Sequence, residues 1–171
     1  LAYSNDLKTV RVVNQGNANT SLRARNAAGV ANTTNLVIKN SDDYAENYES
    51  GITGYGDWVA KFPGALGNSL SVSMADSNSY STWAYKAQFD GAPGTSTYAS
   101  NQAGSNDEFH IVVSDAGGLL TGTKGTILET FPFVSKASDA EINGNSNYYR
   151  QVIFNNSKYI YAMDPVDYAD T

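Results

Sequence analysis

Cysteine is absent from this 171-residue chain, so neither a disulfide nor a thiolate metal site can be built from it. That absence fits a reducing cytoplasm. Histidine is nearly absent: His110 stands alone, and any imidazole chemistry would rest on one residue. Charge is scarce at 16%, with 11 Lys and Arg against 17 Asp and Glu and a net charge of −6. The densest basic spots, Lys8/Arg11 and Arg23/Arg25, are too sparse to neutralise a run of phosphates, which argues against nucleic acid as a partner. No apolar run reaches the roughly 20 residues of a membrane span, and no signal peptide is visible.

What remains is hydroxyl, amide, glycine and aromatic ring. Hydrophobic residues make up 41%, and twelve Tyr, six Phe and two Trp supply the bulk. Rich in Ser, Thr, Asn and Gly, the composition favours strands and turns over long helices. The length fits one domain with a sizeable core, so residues 1–171 are read as a single domain. The chain starts at Leu1 with strand-like residues, and is expected to be a fragment of a longer protein.

The most specific stretch is Lys61–Met74, KFPGALGNSLSVSM. Pro63-Gly64 and Gly67-Asn68 are turn signals, and Gly64 or Gly67 is expected at a φ that side chains resist. Leu70, Val72 and Met74 then alternate with Ser69, Ser71 and Ser73, the period of a half-buried strand. Other strands are expected at Leu7–Val13, Asn35–Lys39, Trp83–Phe89, Asp107–Ser114, Thr126–Phe133 and Lys158–Ala162, with a short β piece at Leu22–Arg25. On Asp107–Ser114, Phe109, Ile111 and Val113 share one face, and Glu108, His110 and Val112 the other. Short helices are expected at Asp42–Ser50, capped near Ser41 and stopped by Gly51, and within Thr95–Ala103, capped by Thr95 or Ser96. Tyr148–Phe154 fits a strand or a short helix. Residues 14–32 read as a variable loop or insertion site, 138–147 as a polar loop, and 164–171 as an exit linker. The fold class is therefore mainly β on the α+β border: an antiparallel β-sandwich of about seven strands with two or three short peripheral helices.

Candidate sites are few. His110 beside Ser114 or Asp115 could act as a general base, but no second histidine and no G-x-S-x-G elbow supports it, and it reads as a surface or rim residue. Asp107/Glu108 with Asp115 would be a carboxylate pair for hydrolysis, yet adjacent strand residues point to opposite faces. Gly122–Thr126, GTKGT, lacks the spacing of a phosphate loop and reads as a turn. Asp42, Asp43, Glu46 and Glu49 do not follow the spacing of a calcium loop and read as a solvated helical face. The sequons at Asn19, Asn32 and Asn155 are no more than the abundance of Asn, Ser and Thr supplies. Trp83, Tyr85 and Phe89 remain open between core and a sugar-stacking platform. Buried rings would mark core; an exposed set would favour a carbohydrate-binding or adhesin-like β-sandwich. No catalytic, cofactor-binding or metal residue is assigned.

The run Phe62–Leu70 resembles the PG-x-x-G-N/D-x-L turn and strand of bacteriophage contractile tail sheath proteins. Leu7–Val13 is similar to the family's L-x-V-V-R-V strand, and Leu36–Asn40 to the I-x-N strand after a variable insertion. Asp107–Val113 with Gly122–Glu129 resembles its hairpin. Val134–Ala137 with Asp139-Ala140 is similar to its S-x-x-x-D-A lead-in, and Asn147–Ile160 to its Y-x-x-x-V-I-N-x-x-S-x-Y-I segment. The matches fall in family order across nearly the whole chain and look closest to sheath proteins of giant tailed phages. The tract 14–32 is short where some members insert a domain, and the subunit-linking arm and tube-facing core have no counterpart. The resemblance implies a middle, outward-facing domain of a structural subunit in the phage tail, assembled in the host cytoplasm. Neighbouring sheath subunits would be its partners, with tail tube and baseplate contacted mainly by other regions. It implies no enzyme, cofactor, metal or membrane, and a fragment that is monomeric alone.

Overall fold

The computed structural model describes residues 19–22, 36–51 and 56–163. The expected strand Leu7–Val13, most of the 14–32 tract and the linker 164–171 lie outside the described residues.

The fold is mainly β, with short helices between the strands. One antiparallel sheet has the order β1 (Asn19–Leu22), β2 (Trp58–Pro63), β8 (Ile160–Ala162). A second, also antiparallel, has the order β3 (Leu70–Ala75), β4 (Glu108–Asp115), β5 (Thr126–Ser135). The polar loop 138–147 holds a small hairpin of β6 (Glu141–Ile142) and β7 (Asn145–Ser146). The two larger sheets share one core. Trp58 and Ala60 of β2 and Ile160 and Ala162 of β8 meet Leu70, Val72, Phe109, Ile111, Val113, Phe131 and Val134 from the other sheet.

β4 is the middle strand of its sheet, and every residue in it except Glu108 is buried. A strand covered on both faces is expected to be apolar throughout, and HIVV meets that need apart from His110. β3 carries the alternation read from sequence: Leu70 and Val72 are buried, Ser71 and Ser73 half-buried.

Between β2 and β3 the two turn signals become a single device. Gly64 precedes a one-turn helix, α2 (Ala65–Asn68), at φ 73° and ψ −144°, a region open to glycine alone. Gly67 lies inside that helix with no such φ. A Cβ at Gly64 would meet nothing within 4 Å, so Gly64→Ala tests backbone strain alone. We expect a loss of about 1–3 kcal/mol in urea unfolding. Gly91→Ala, also in open space but without a left-handed φ, should stay within about 0.5 kcal/mol of the parent. Equal effects of the two would show that the turn stores no strain.

Two local expectations are corrected and an open alternative is decided. Trp83–Phe89 is not a strand. One 3-10 turn, Tyr80–Thr82, leads into it and a second, Lys86–Gln88, lies within it, closed by bonds such as Gln88 N to Tyr85 O at 3.0 Å. The aromatic alternation imitates a strand, but Asp76 accepts from the Ser79 amide and hydroxyl and starts a turn instead. Asn35–Lys39 shows only a bridge at Leu36 among its described residues. Its burial still alternates: Leu36 and Ile38 join Tyr44, Val59, Tyr161 and Met163 in a smaller second core. Tyr148–Phe154 resolves to a helix, α4 (Tyr149–Asn156), with Tyr149 and Ile153, one turn apart, set into the main core.

α1 (Ser41–Asn47) starts one residue earlier than expected. Its cap is Asn40, whose side chain accepts from the Asp43 amide. α3 (Thr97–Asn101) has the expected cap, Ser96.

Candidate functional site

Four polar clusters among the described residues bear on the candidate sites, and each holds main chain. At one end of β4, the Asp115 carboxylate accepts from the Ser69 hydroxyl, the Gly118, Leu120 and Thr121 amides and the Thr121 hydroxyl. Ser69 Oγ in turn accepts from the Leu119 amide at 3.0 Å. The DAGGLLTGTKG turn is thereby folded around one carboxylate. Burial alone would raise the Asp115 carboxyl; the bonds from Ser69, Thr121 and Leu120 outweigh it and hold it well below the usual carboxylate range. Gly117 makes the close approach possible, since a Cβ there would sit 2.6 Å from Ser69 Oγ.

At the other end of β4, Asp107 accepts from the Ser96 amide and hydroxyl, both at 2.7 Å, and from the Ser135 hydroxyl. This ties the cap of α3 to the end of β5. Burial pushes the carboxyl up, and the Ser135 and Ser96 bonds bring it below its ordinary value. Asp107 and Asp115 are eight residues apart on an extended strand, about 26 Å at 3.3 Å per residue. Glu108, between them, accepts from the Gly94 amide at 3.1 Å. The proposed carboxylate pair is therefore not brought together.

His110 is corrected from rim to core: it is fully buried. The β4–β5 register shifts between Phe109 and Ile111, where Pro132 and Phe133 oppose His110. Pro132 has no amide to give, and Phe133 sits at φ 51°. The Phe133 amide is satisfied by His110 Nδ1 at 3.0 Å, while Nε2 meets the Gly91 carbonyl at 2.9 Å. An amide must donate, so Nδ1 is bare and Nε2 carries the proton. Burial pushes the imidazole below its ordinary value, with the Gly91 bond pulling the other way. Both nitrogens are spent on backbone, which leaves neither for the base chemistry raised above.

The aromatic set beside it is half-buried rather than deep core. Phe89 stacks on His110 at 4.1 Å between ring centroids, and Trp83 stacks on Phe89 at 5.3 Å. Tyr85 meets Trp83 edge-on, and Trp83 Nε1 donates to Ser73 Oγ at 2.8 Å. The three rings pack as a triangle, Trp83 also lying 6.4 Å from His110, and Trp83 itself is half-buried.

The fourth cluster was invisible to sequence reading. Arg150, buried at the start of α4, gives its guanidinium to carbonyls alone: Glu49 O at 3.1 and 2.6 Å, Met163 O at 2.9 Å and Ala162 O at 3.4 Å. Tyr44 adds its hydroxyl to Ala162 O at 2.5 Å while stacked between Tyr161 and Phe154. Burial pushes the Tyr44 hydroxyl up to about 12, with the Arg150 charge opposing it. Gly51, at φ 86°, lies so close that a Cβ would stand 2.4 Å from Met163 O. The Gly122–Thr126 tract is a turn, with positive φ at Gly122 and Gly125. Among the described residues no group of three or more His, Cys, Asp or Glu is placed to hold a metal ion. No described helix is long and apolar enough to cross a membrane.

Two sheets over one core, with polar clusters that secure the chain's own turns, define a mainly β domain. The chain is 30% identical over 128 residues to the tail sheath protein of Salmonella phage ViI. The aligned part is 74% of this chain but 17% of that protein, so the chain spans less than a fifth of the relative's length. The resemblance to tail sheath proteins expected from the motifs is borne out by this match. No protein-family model matches the chain.

Proposed function

We propose that this chain is a structural domain of a contractile phage tail sheath subunit, carried on the outside of a helical array around the tail tube. The single observation behind this reading is the match to a tail sheath protein over three quarters of the chain. Its partners are neighbouring sheath subunits, its place is the virion tail, and its role is mechanical. Heterologous contacts that do not close build such an array, and contraction that drives DNA delivery needs a rigid subunit with two alternative sets of contacts. Rigidity is what the carboxylate-centred turns and the shared core supply. The polar clusters hold backbone in place, in keeping with a non-enzymatic part.

Residues 1–171 act here as one domain of a longer subunit, and the contacts that build the array lie mainly in other regions. An isolated outward domain then offers contacts too small to associate alone at micromolar concentration. Its charge of −6 adds mild repulsion at low salt. Sedimentation of the chain at neutral pH should give a single species near 18.3 kDa. Stable rings or tubes from this chain alone would place the assembly contacts inside it and overturn the exterior placement.

A further inference from the structure

Residues 80–91 are bonded mostly to themselves. The two 3-10 turns close internally, Lys86 Nζ donates to Ser81 O at 2.7 Å, and Tyr80 Oη reaches Lys86 O at 3.0 Å. Among the described residues no strand ladder joins this segment to β3. It is docked by side chains: Trp83 on Ser73, the stacked rings, and above all His110, which bonds Gly91 and packs against Phe89, Trp83 and Tyr80. Segments held by few such contacts open at low free energy.

We propose that His110 is an acid-sensitive latch. Neutral, it pins the flap 80–91 to the β3-β4-β5 sheet; protonated, it releases the flap while the rest of the fold stays closed.

The geometry sets the sign. A proton added at Nδ1 would point at the Phe133 N–H of β5, donor against donor, while the Nε2–H bond to the Gly91 carbonyl survives; release comes instead from a charge buried beneath the flap's Phe89, Trp83 and Tyr80 rings, which reaches water only when the flap lifts. Stacking on Phe89 offers an imidazolium some compensation, but not a replacement for water around a buried charge. In the open flap the ring is solvated and titrates near 6.5. Opening is therefore unfavourable above pH 6.5 and becomes easier as the pH falls below it, towards the lowered value of the closed form.

The charged and titratable groups on the surrounding elements are Glu108 on β4, Asp76 at the end of β3, Tyr80, Tyr85, Lys86 and Asp90 in the flap, and Lys136 after β5. Glu108 is the one that titrates close by. Its carboxyl is raised by burial, with the Gly94 bond opposing. Its bond partner, the Gly94 amide, lies outside the flap, and a protonated carboxyl keeps an oxygen for it. Asp76, Asp107 and Asp115 are all held low and keep their turns ionised through this window.

Because the chain has one histidine, histidine-selective ¹³C/¹⁵N labelling reads His110 with no substitution. Hydrogen exchange is followed on the same sample. We expect the Nε2–H tautomer at pH 7.5 and a titration midpoint below 6.5. Between pH 7.5 and 5.0, exchange in 80–91, corrected for intrinsic rates, should rise at least tenfold in step with that titration. Amides of Ala60, Ile111 and Val113 should stay protected. His110→Gln, which keeps a donor and an acceptor but takes no proton, should abolish the pH dependence; if it does not fold, the parent measurements decide alone. Titration without faster flap exchange, a loss of protection that is global rather than local, or a flap shut at pH 5 with His110 charged would each overturn the latch.

Discussion

Trp58→Ala lowers the stability of the fold by about 3–5 kcal/mol. At roughly 2–4 °C per kcal/mol for a chain of this size, Tm falls by about 6–20 °C. The magnitude follows from position. Trp58 is fully buried on β2, pairs with Leu22 of β1 and Ala162 of β8, and sets its ring edge-on to Tyr149 at 6.0 Å. It is the bulkiest side chain where the two sheets and α4 meet, and no neighbour can collapse into the space without moving a strand. Trp83→Ala removes a half-buried ring from the flap and should cost clearly less. Calorimetry on both variants decides. A Trp58→Ala loss under 1 kcal/mol, or a larger loss at Trp83, would mean that the sheets do not share this core.

Arg150→Ala should also destabilise the fold, and the origin of its effect is polar. The guanidinium joins three chain segments through the carbonyls of Glu49, Ala162 and Met163. Ala162 O keeps the Tyr44 hydroxyl after the substitution, but the Glu49 and Met163 carbonyls lose their Arg150 donors. Met163 is buried and its carbonyl is stranded, whereas Glu49 is exposed and its carbonyl can turn to water, so the loss is about 1–3 kcal/mol. Arg150→Lys keeps the charge but not the fork, and should recover only a small part. Denaturant unfolding gives the size, and hydrogen exchange at Tyr48 and Gly51 gives the place. A variant within about 0.5 kcal/mol of the parent would show the three segments to be held by packing alone.

The elements legible in sequence were those whose pattern had one physical solution. β4 could be read because Phe109, Ile111 and Val113 fall at every second position, the period of a strand with one apolar face. The 61–74 stretch could be read because Pro63-Gly64 forces a turn and the Ser alternation fixes a face. Gly67-Asn68 went astray because a turn signal four residues after Gly64 also closes a helical turn, with Asn68 N reaching Gly64 O at 3.0 Å. Trp83–Phe89 was misread because aromatic alternation does not distinguish a strand from two tight turns that stack the same rings. The deciding signal, Asp76-x-x-Ser79, lies outside the alternating run.

The roles of His110 and Arg150 were hidden for a different reason. Pro132 in β5 announces a bulge, but which residue opposes it depends on register, and register is a property of the paired strands. The partners of Arg150 are main-chain carbonyls up to 101 residues away, and carbonyls are the same at every position in a sequence. The tail sheath resemblance was legible because it rests on order and spacing over the whole chain rather than on any site.

The most direct test of the proposed sheath role is microscopy of the full-length gene product, expressed alone, followed by helical reconstruction. The account predicts tubes of stacked subunits with the two-sheet domain at the outer radius, Trp58 inside it and its charged surface towards solvent. Dispersed particles that never form tubes, or tubes with this domain against the inner channel, would contradict it.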